Sequence, residues 1–176
     1  MKAVILYGPP GSGKSTVTNA LCLRSSAYVP FRRLKAGTGR TAEYRMATLA
    51  EIDALDAQGE ILWRNDRYGS TYAIDRSQLL SQVANAVPVV HLGQPEAVSA
   101  LIAAIPDVRW YVIALHCPYE VAIQRIRDRG DADLEARKAA WLETPPLSQV
   151  DLTIDTTNVT PDDIAAQIDA LVSASP

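Results

Sequence analysis

Residues 8–15 read Gly-Pro-Pro-Gly-Ser-Gly-Lys-Ser, which fits the spacing GxxxxGK[ST]. Glycines at these intervals let the backbone turn tightly enough for several N–H groups to converge on phosphate oxygens, at the positive end of a following helix. Lys14 adds a full charge and Ser15 a hydroxyl that can ligand Mg²⁺. Gly11, Ser12, Gly13, Lys14, Ser15 and Thr16 are therefore expected to hold the phosphates of ATP with its Mg²⁺, the metal on Ser15. The same loop serves kinases, GTPases, ATPases and transporter subunits, so the reaction must be read from other residues.

Two further groups carry charge. Arg32, Arg33, Lys35, Arg40 and Arg45 lie close together with only Glu43 opposing them, a focused positive patch in an otherwise acidic chain. Arg125 and Arg129 are four residues apart, so both face one side of a helix, and Arg137 follows. His91 sits inside an apolar run and His116 ends another beside Cys117, but no fourth ligand accompanies them, and both read as core or strand-end histidines. Trp110 and Trp141 read as packing residues; Trp63 is a candidate recognition residue. Asp66 and Asp75, which flank Tyr68-Gly69-Ser70, read as surface turn residues. A phosphate acceptor, with a second pKa of about 6, is already a dianion and needs no general base.

These residues need a frame. Ala3–Tyr7 is a short apolar run ended by Gly8, as in a strand buried on both faces of a parallel sheet, and a helix is expected from Lys14 to about Leu23. Val87–Leu92 and Trp110–Leu115 are further strands, each followed by a helical pattern, Glu96–Ile105 and Tyr119–Arg129. A last strand, Leu152–Asp155, precedes Thr160-Pro161-Asp162-Asp163, which has the N-cap, first-turn proline and acids of a helix start; that helix should run to about Val172. Tyr28–Lys35, Glu60–Asn65 and Tyr68–Asp75 read as short exposed strands around a helix opened by the capping box Thr48-x-x-Glu51. The expectation is a three-layer α/β domain over 1–176 with a mostly parallel central sheet and a small inserted lobe.

The 176 residues, 48% apolar and 21% charged, suffice for one core and are too few for two ordinary domains. Seventeen Lys plus Arg against twenty Asp plus Glu leave a charge of −3, which argues against nucleic acid or a membrane as partner. Cys22 and Cys117 lack any metal or disulfide spacing and read as buried thiols. With neither an h-region nor a membrane-length apolar run, a cytoplasmic monomer or homodimer acting on a small phosphorylated molecule is expected.

Beyond the phosphate loop, Arg32-x-x-Lys35-x-Gly37 followed by Tyr44 resembles the acceptor-phosphate segment of the guanylate kinase family. Gly59-Glu60-Ile61-Leu62 resembles that family's Gly-Glu-Phe-Leu, Tyr68-Gly69-Ser70 its Tyr-Gly-Thr, and Arg125-x-x-x-Arg129-Gly130 with Glu135-x-Arg137 its lid arginines. The resemblance implies a P-loop kinase fold with an acceptor-binding insertion at about 32–75 and a lid at about 125–142. It further implies that Arg32, Lys35, Arg40, Tyr44, Trp63, Tyr68 and Ser70 hold the acceptor while Lys14, Arg125, Arg129 and Arg137 act on the transferred phosphoryl group. Two departures stand out. Trp63 occupies the place of the family's guanine-reading Glu, and His91-Leu92-Gly93-Gln94 replaces a segment that carries an acid. An indole gives one N–H and a flat face where a carboxylate accepts two hydrogen bonds, so the implied acceptor is a nucleoside monophosphate without assigned base. A sugar phosphate, as in the ribose bisphosphate phosphokinase branch, and a non-catalytic nucleotide-binding module are the alternatives.

Overall fold

The computed structural model describes residues 1–39, 41–130 and 133–174. Its core is a five-stranded parallel sheet of order β2-β7-β1-β8-β9, formed by Lys2–Tyr7 (β1), Tyr28–Pro30 (β2), Val87–Leu92 (β7), Arg109–His116 (β8) and Leu152–Asp155 (β9). Side chains alternate along β1. Ala3, Ile5 and Tyr7 join one core cluster with Val90, Val112 and Leu101, while Val4 and Leu6 join another with Leu21, Tyr111 and Ile164. Both faces are thus covered, as a continuous apolar run requires.

On one face lie α1 (Lys14–Arg24) and α7 (Pro161–Ala174); on the other, α3 (Arg76–Asn85) and α4 (Pro95–Ala104). Thr160 starts α7 as expected, its Oγ1 accepting from Asp163 N at 3.2 Å. Helices α5 (Tyr119–Asp128) and α6 (Leu134–Leu142) follow β8. Among the described residues no helix is long and apolar enough to cross a membrane.

A second sheet of order β4-β3-β6-β5 is built from Leu34–Ala36 (β3), Arg45–Met46 (β4), Ile61–Arg67 (β5) and Ser70–Asp75 (β6). Helix α2 (Leu49–Ala57) covers one face of it through Ile52, which is fully buried against Leu34, Ala36 and Ala73. Thr48 and Glu51 form the reciprocal capping box that opens this helix.

Four local expectations change, the first being that Tyr68–Asp75 is not an exposed strand: Tyr68 and Gly69 form a turn, and Ser70–Asp75 (β6) is mostly buried. Tyr28–Lys35 is not one exposed strand: Tyr28–Pro30 pairs with β7 in the core sheet, Phe31 N still donates to Val89 O at 3.0 Å, and the chain then leaves for the second sheet as β3. Asp75 is not a surface turn residue; it is 4% exposed and ion-paired with Arg45. Helix α3 carries no side-chain N-cap, because the carboxylate of Asp75 in the capping position is engaged by that arginine. Of the two thiols, Cys117 is buried and Cys22 half-buried.

Candidate active site

Between the carboxyl ends of the core strands and the face of the second sheet that carries Tyr72 lies a cavity of about 530 Å³. Ligands bind at the carboxyl ends of open parallel sheets where the strand order reverses, here on either side of β1. The cavity is lined by six cationic side chains, Lys14, Arg33, Arg67, Arg125, Arg129 and Arg137, against two carboxylates, Glu43 and Asp128. In a chain of net charge −3 this concentrates positive potential in one place.

Its floor is the loop from Gly8 to Ser15. Gly11 has φ +79°, and a Cβ there would lie 2.6 Å from the Ala122 carbonyl oxygen, so only glycine fits. Gly13, at φ +94°, ends the loop in the N-cap position of α1 with no side-chain cap, leaving the helix's first N–H groups facing the cavity. Lys14 Nζ lies within the loop, donating to Gly8 O at 2.5 Å and Pro9 O at 2.8 Å. Loss of water around that ammonium, followed by the like charges of Arg33 and Arg129, pushes its pKa down to about 7. Ser15 and Thr16 also line the cavity, whereas Ser12 is buried in the loop.

Thr156, after β9, and Arg125, on α5, brace this floor from below. Arg125 Nη1 donates to Gly11 O at 3.3 Å and to Thr156 Oγ1 at 3.0 Å, and Thr156 Oγ1 donates to Ser12 O at 3.2 Å. Arg125 is thereby tied to the loop, whereas Arg129 and Arg137 reach the cavity from the α5 end and from α6. Arg137 Nε donates to Asp133 Oδ1 at 2.7 Å, and its guanidinium stands 5.1 Å from the Tyr68 ring centroid.

His91 takes the place where an acid is expected. Its Nε2 is 2.6 Å from Thr18 Oγ1, and burial together with the charges of Lys14 and Arg33 pushes its pKa down to about 3, so the ring is neutral.

The opposite wall is the second sheet. Arg33 lies 5.1 Å from the Tyr72 ring and 5.8 Å from that of Tyr44, and these two rings are 5.3 Å apart. Lys35 is 2% exposed beneath them, its Nζ donating to Thr38 O at 2.5 Å. Of the acceptor residues expected from sequence, Tyr44 and Tyr68 line the cavity, while Lys35 and Ser70 are buried behind its wall. Arg32 is exposed and outside the cavity, with its carbonyl accepting from Arg45 Nε at 2.9 Å. Trp63 is outside it too, packed onto the core cluster of Phe31 and Ile74. Arg40 lies outside the described residues.

Sequence reasoning missed Arg33, Asn65, Arg67 and Tyr72 as cavity residues. A signal for Arg33 existed: Leu34 and Ala36 face α2, so the alternation of β3 sends Arg33 and Lys35 the other way and Arg32 with the apolar side. Arg67 and Tyr72 stood inside expected strands with no mark of their own.

Comparisons with known proteins bear on the family and the fold. A sequence-family profile described as an AAA domain matches residues 4–141. Guanylate kinase of Granulibacter bethesdensis is 27% identical over 143 residues, covering 78% of this chain and 67% of its own length. Cytidylate kinase of Sulfurisphaera tokodaii is 26% identical over 189 aligned positions, covering 97% and 94%. The crystal structure of guanylate kinase from Anaplasma phagocytophilum superposes with TM-score 0.67 at 18% identity, over 98% of this chain and 85% of that one. Since the profile spans well over half of the sequence, the chain belongs to the AAA domain family, and it shares its fold with a guanylate kinase.

Proposed function

We propose that this phosphotransferase moves the γ-phosphoryl group of ATP onto the phosphate of a nucleoside monophosphate, giving ADP and a nucleoside diphosphate. One observation carries the reading: a phosphate-binding loop and a separate wall of Arg33, Tyr44 and Tyr72 open into the same cavity. A pure nucleotide-binding module has no use for the second wall. Relatives named as guanylate and cytidylate kinases support the reaction class.

The residues fit the triphosphate. The first N–H groups of α1, left without a side-chain cap at Gly13, and the Lys14 ammonium, whose charge burial disfavours, are features that an anion stabilises. Ser15 would hold Mg²⁺, which keeps most of its waters and takes phosphate oxygens as further ligands. When bound, the ion neutralises charge on the phosphates.

Phosphoryl transfer passes through a loose, charge-spread transition state, so positioning and cationic stabilisation make up most of the catalysis. Lys14, Arg129 and Arg137 surround the place of the transferred group; Arg33 would orient the acceptor's phosphate, whose oxygen forms the new bond as the bond to ADP breaks. That oxygen is already ionised, which agrees with the neutral, Thr18-bound His91 not acting as a base.

A coupled ADP-release assay over the common nucleoside monophosphates and ribose 5-phosphate tests this. Turnover with at least one monophosphate is expected, and Lys14→Ala should reduce it by about 10³-fold or more, the scale on which cationic stabilisation acts in such reactions. Turnover confined to ribose 5-phosphate, or a Lys14→Ala protein as active as the parent, would overturn the assignment.

A further inference from the structure

We infer that Asn65 reads the heterocycle of the acceptor, in place of the carboxylate that the sequence replaces with Trp63. The inference rests on the acceptor site proposed above and specifies what that site recognises.

The register of the second sheet puts Lys35 opposite Tyr72 and Tyr72 opposite Asn65, so the three form one row across β3, β6 and β5 on a single face. Arg33, which lines the cavity 5.1 Å from the Tyr72 ring, marks that end of the row as the anionic end, with Lys35 buried behind it. Asn65 stands at the other end, one strand spacing away, and lines the cavity with Tyr72. A phosphate held between Arg33 and Tyr44 therefore directs the rest of its molecule toward Asn65.

Asn65 Oδ1 is buried and has no hydrogen-bond partner among the described residues. An unpaired buried carbonyl is costly and calls for a partner, and because Asn65 itself lines the cavity, rotation of its amide lets a ligand there supply one. Trp63 lies two residues earlier on the same face but is packed into the core, so the first side chain of β5 beyond it that is open to the cavity is Asn65. A bulge between Ile61 and Trp63 sets this register.

A carboxamide offers one accepting and one donating group, whereas a carboxylate only accepts. Its complement is a ring edge with an N–H beside an acceptor atom: the N–H/C=O edge of guanine or uracil, or the amino/ring-nitrogen edge of cytosine or adenine. Such a site prefers a nucleotide to a bare sugar phosphate and tolerates more than one base.

The test compares the parent protein with Asn65→Leu and Asn65→Asp. For each, kcat and KM are measured with saturating MgATP for four nucleoside monophosphates and ribose 5-phosphate, and each monophosphate is titrated calorimetrically without ATP. Asn65→Leu should lower nucleotide kcat/KM by about 10 to 100-fold, mostly through KM, as expected for losing a buried hydrogen-bonding pair. Asn65→Asp, with acceptors only, should raise the GMP-to-CMP ratio by about tenfold or more, because guanine presents two adjacent donors and cytosine one. A merely structural role would depress all acceptors equally, so unchanged ratios in both variants overturn the inference. So does an equal loss for ribose 5-phosphate. Nucleotide binding that depends on Asn65 without turnover sustains the inference and removes the kinase reading; no binding of any monophosphate removes both.

Discussion

The ammonium of Lys14 is stripped of water in a cavity it shares with Arg33, Arg129 and Arg137, and this has a measurable consequence. Its pKa of about 7 in the free protein means that above neutral pH the group is largely uncharged. A triphosphate placed against it supplies the opposite charge and draws the pKa back toward the ordinary lysine range. The bound state then holds the proton more tightly than the free state, so binding takes up a proton and affinity falls as pH rises from 7 toward the bound-state pKa, by up to about tenfold per pH unit. Calorimetry of MgATP at pH 8 in two buffers of different ionisation enthalpy should register uptake of about one proton. Lys14→Arg, charged throughout, should register none. If the parent protein binds MgATP with no proton exchange, burial and the neighbouring arginines do not depress Lys14 as the geometry indicates.

At the level of elements, the hairpin joining β5 and β6 is the informative piece. Tyr68 and Gly69 are its two turn residues, with φ of +56° and +65°, as a type I′ turn between paired Arg67 and Ser70 demands. Asn is the usual first residue of such a turn, and a bulky side chain at positive φ costs about 1–2 kcal/mol. The ring is kept there beneath Arg137, where α6 meets the second sheet, and a second contact joins Arg67 to Glu143 at 3.4 Å. Tyr68→Asn should relieve the turn while losing a partly buried ring, so the two changes offset and Tm moves by less than about 4 °C. Activity should fall at least about tenfold. A Tyr68→Asn protein of parental activity would show that the ring has no part in holding Arg137. Motifs made such elements visible in unequal measure. Continuous apolar runs gave the core strands, and the capping signals at Thr48 and Thr160 gave two helix starts, because each depends on neighbours in sequence. Helix α3 was not visible, since its capping Asp75 bonds Arg45 thirty residues away. The change of sheet after Pro30 was equally hidden, because it depends on which strands β2 and β3 pair with. For the same reason the loop residues of the site could be read directly, and Asn65, whose meaning comes from a row across three strands, could not.

The whole molecule sets a loop on a rigid parallel sheet against a wall on a separate sheet, with one cavity between them. The division has a physical logic. The loop's backbone approach to Ala122 and the Arg125–Thr156 brace fix the loop end, while the opposite wall is carried on short strands, joined across the cavity by Arg137 over Tyr68 and the Arg67–Glu143 pair. If both ends are occupied at once, a single molecule spanning them gains the effective concentration of a linked pair, typically 10²–10⁴-fold over either half. Adenosine joined to a second nucleoside by about five phosphates is such a molecule, with length enough to cover a triphosphate and an acceptor phosphate. It should bind at least about 10²-fold more tightly than ATP. At a concentration about 100 times its Kd it should stabilise the fold by about 2.7 kcal/mol, which raises Tm by roughly 5–11 °C for a chain of this size. The same titration on Arg33→Ala should lose most of the gain over ATP, while ATP binding itself changes far less, since Arg33 bears on it only as a like charge near Lys14. A spanning ligand no tighter than ATP would mean that the two walls do not act on one bound assembly, and the transfer geometry would have to be abandoned.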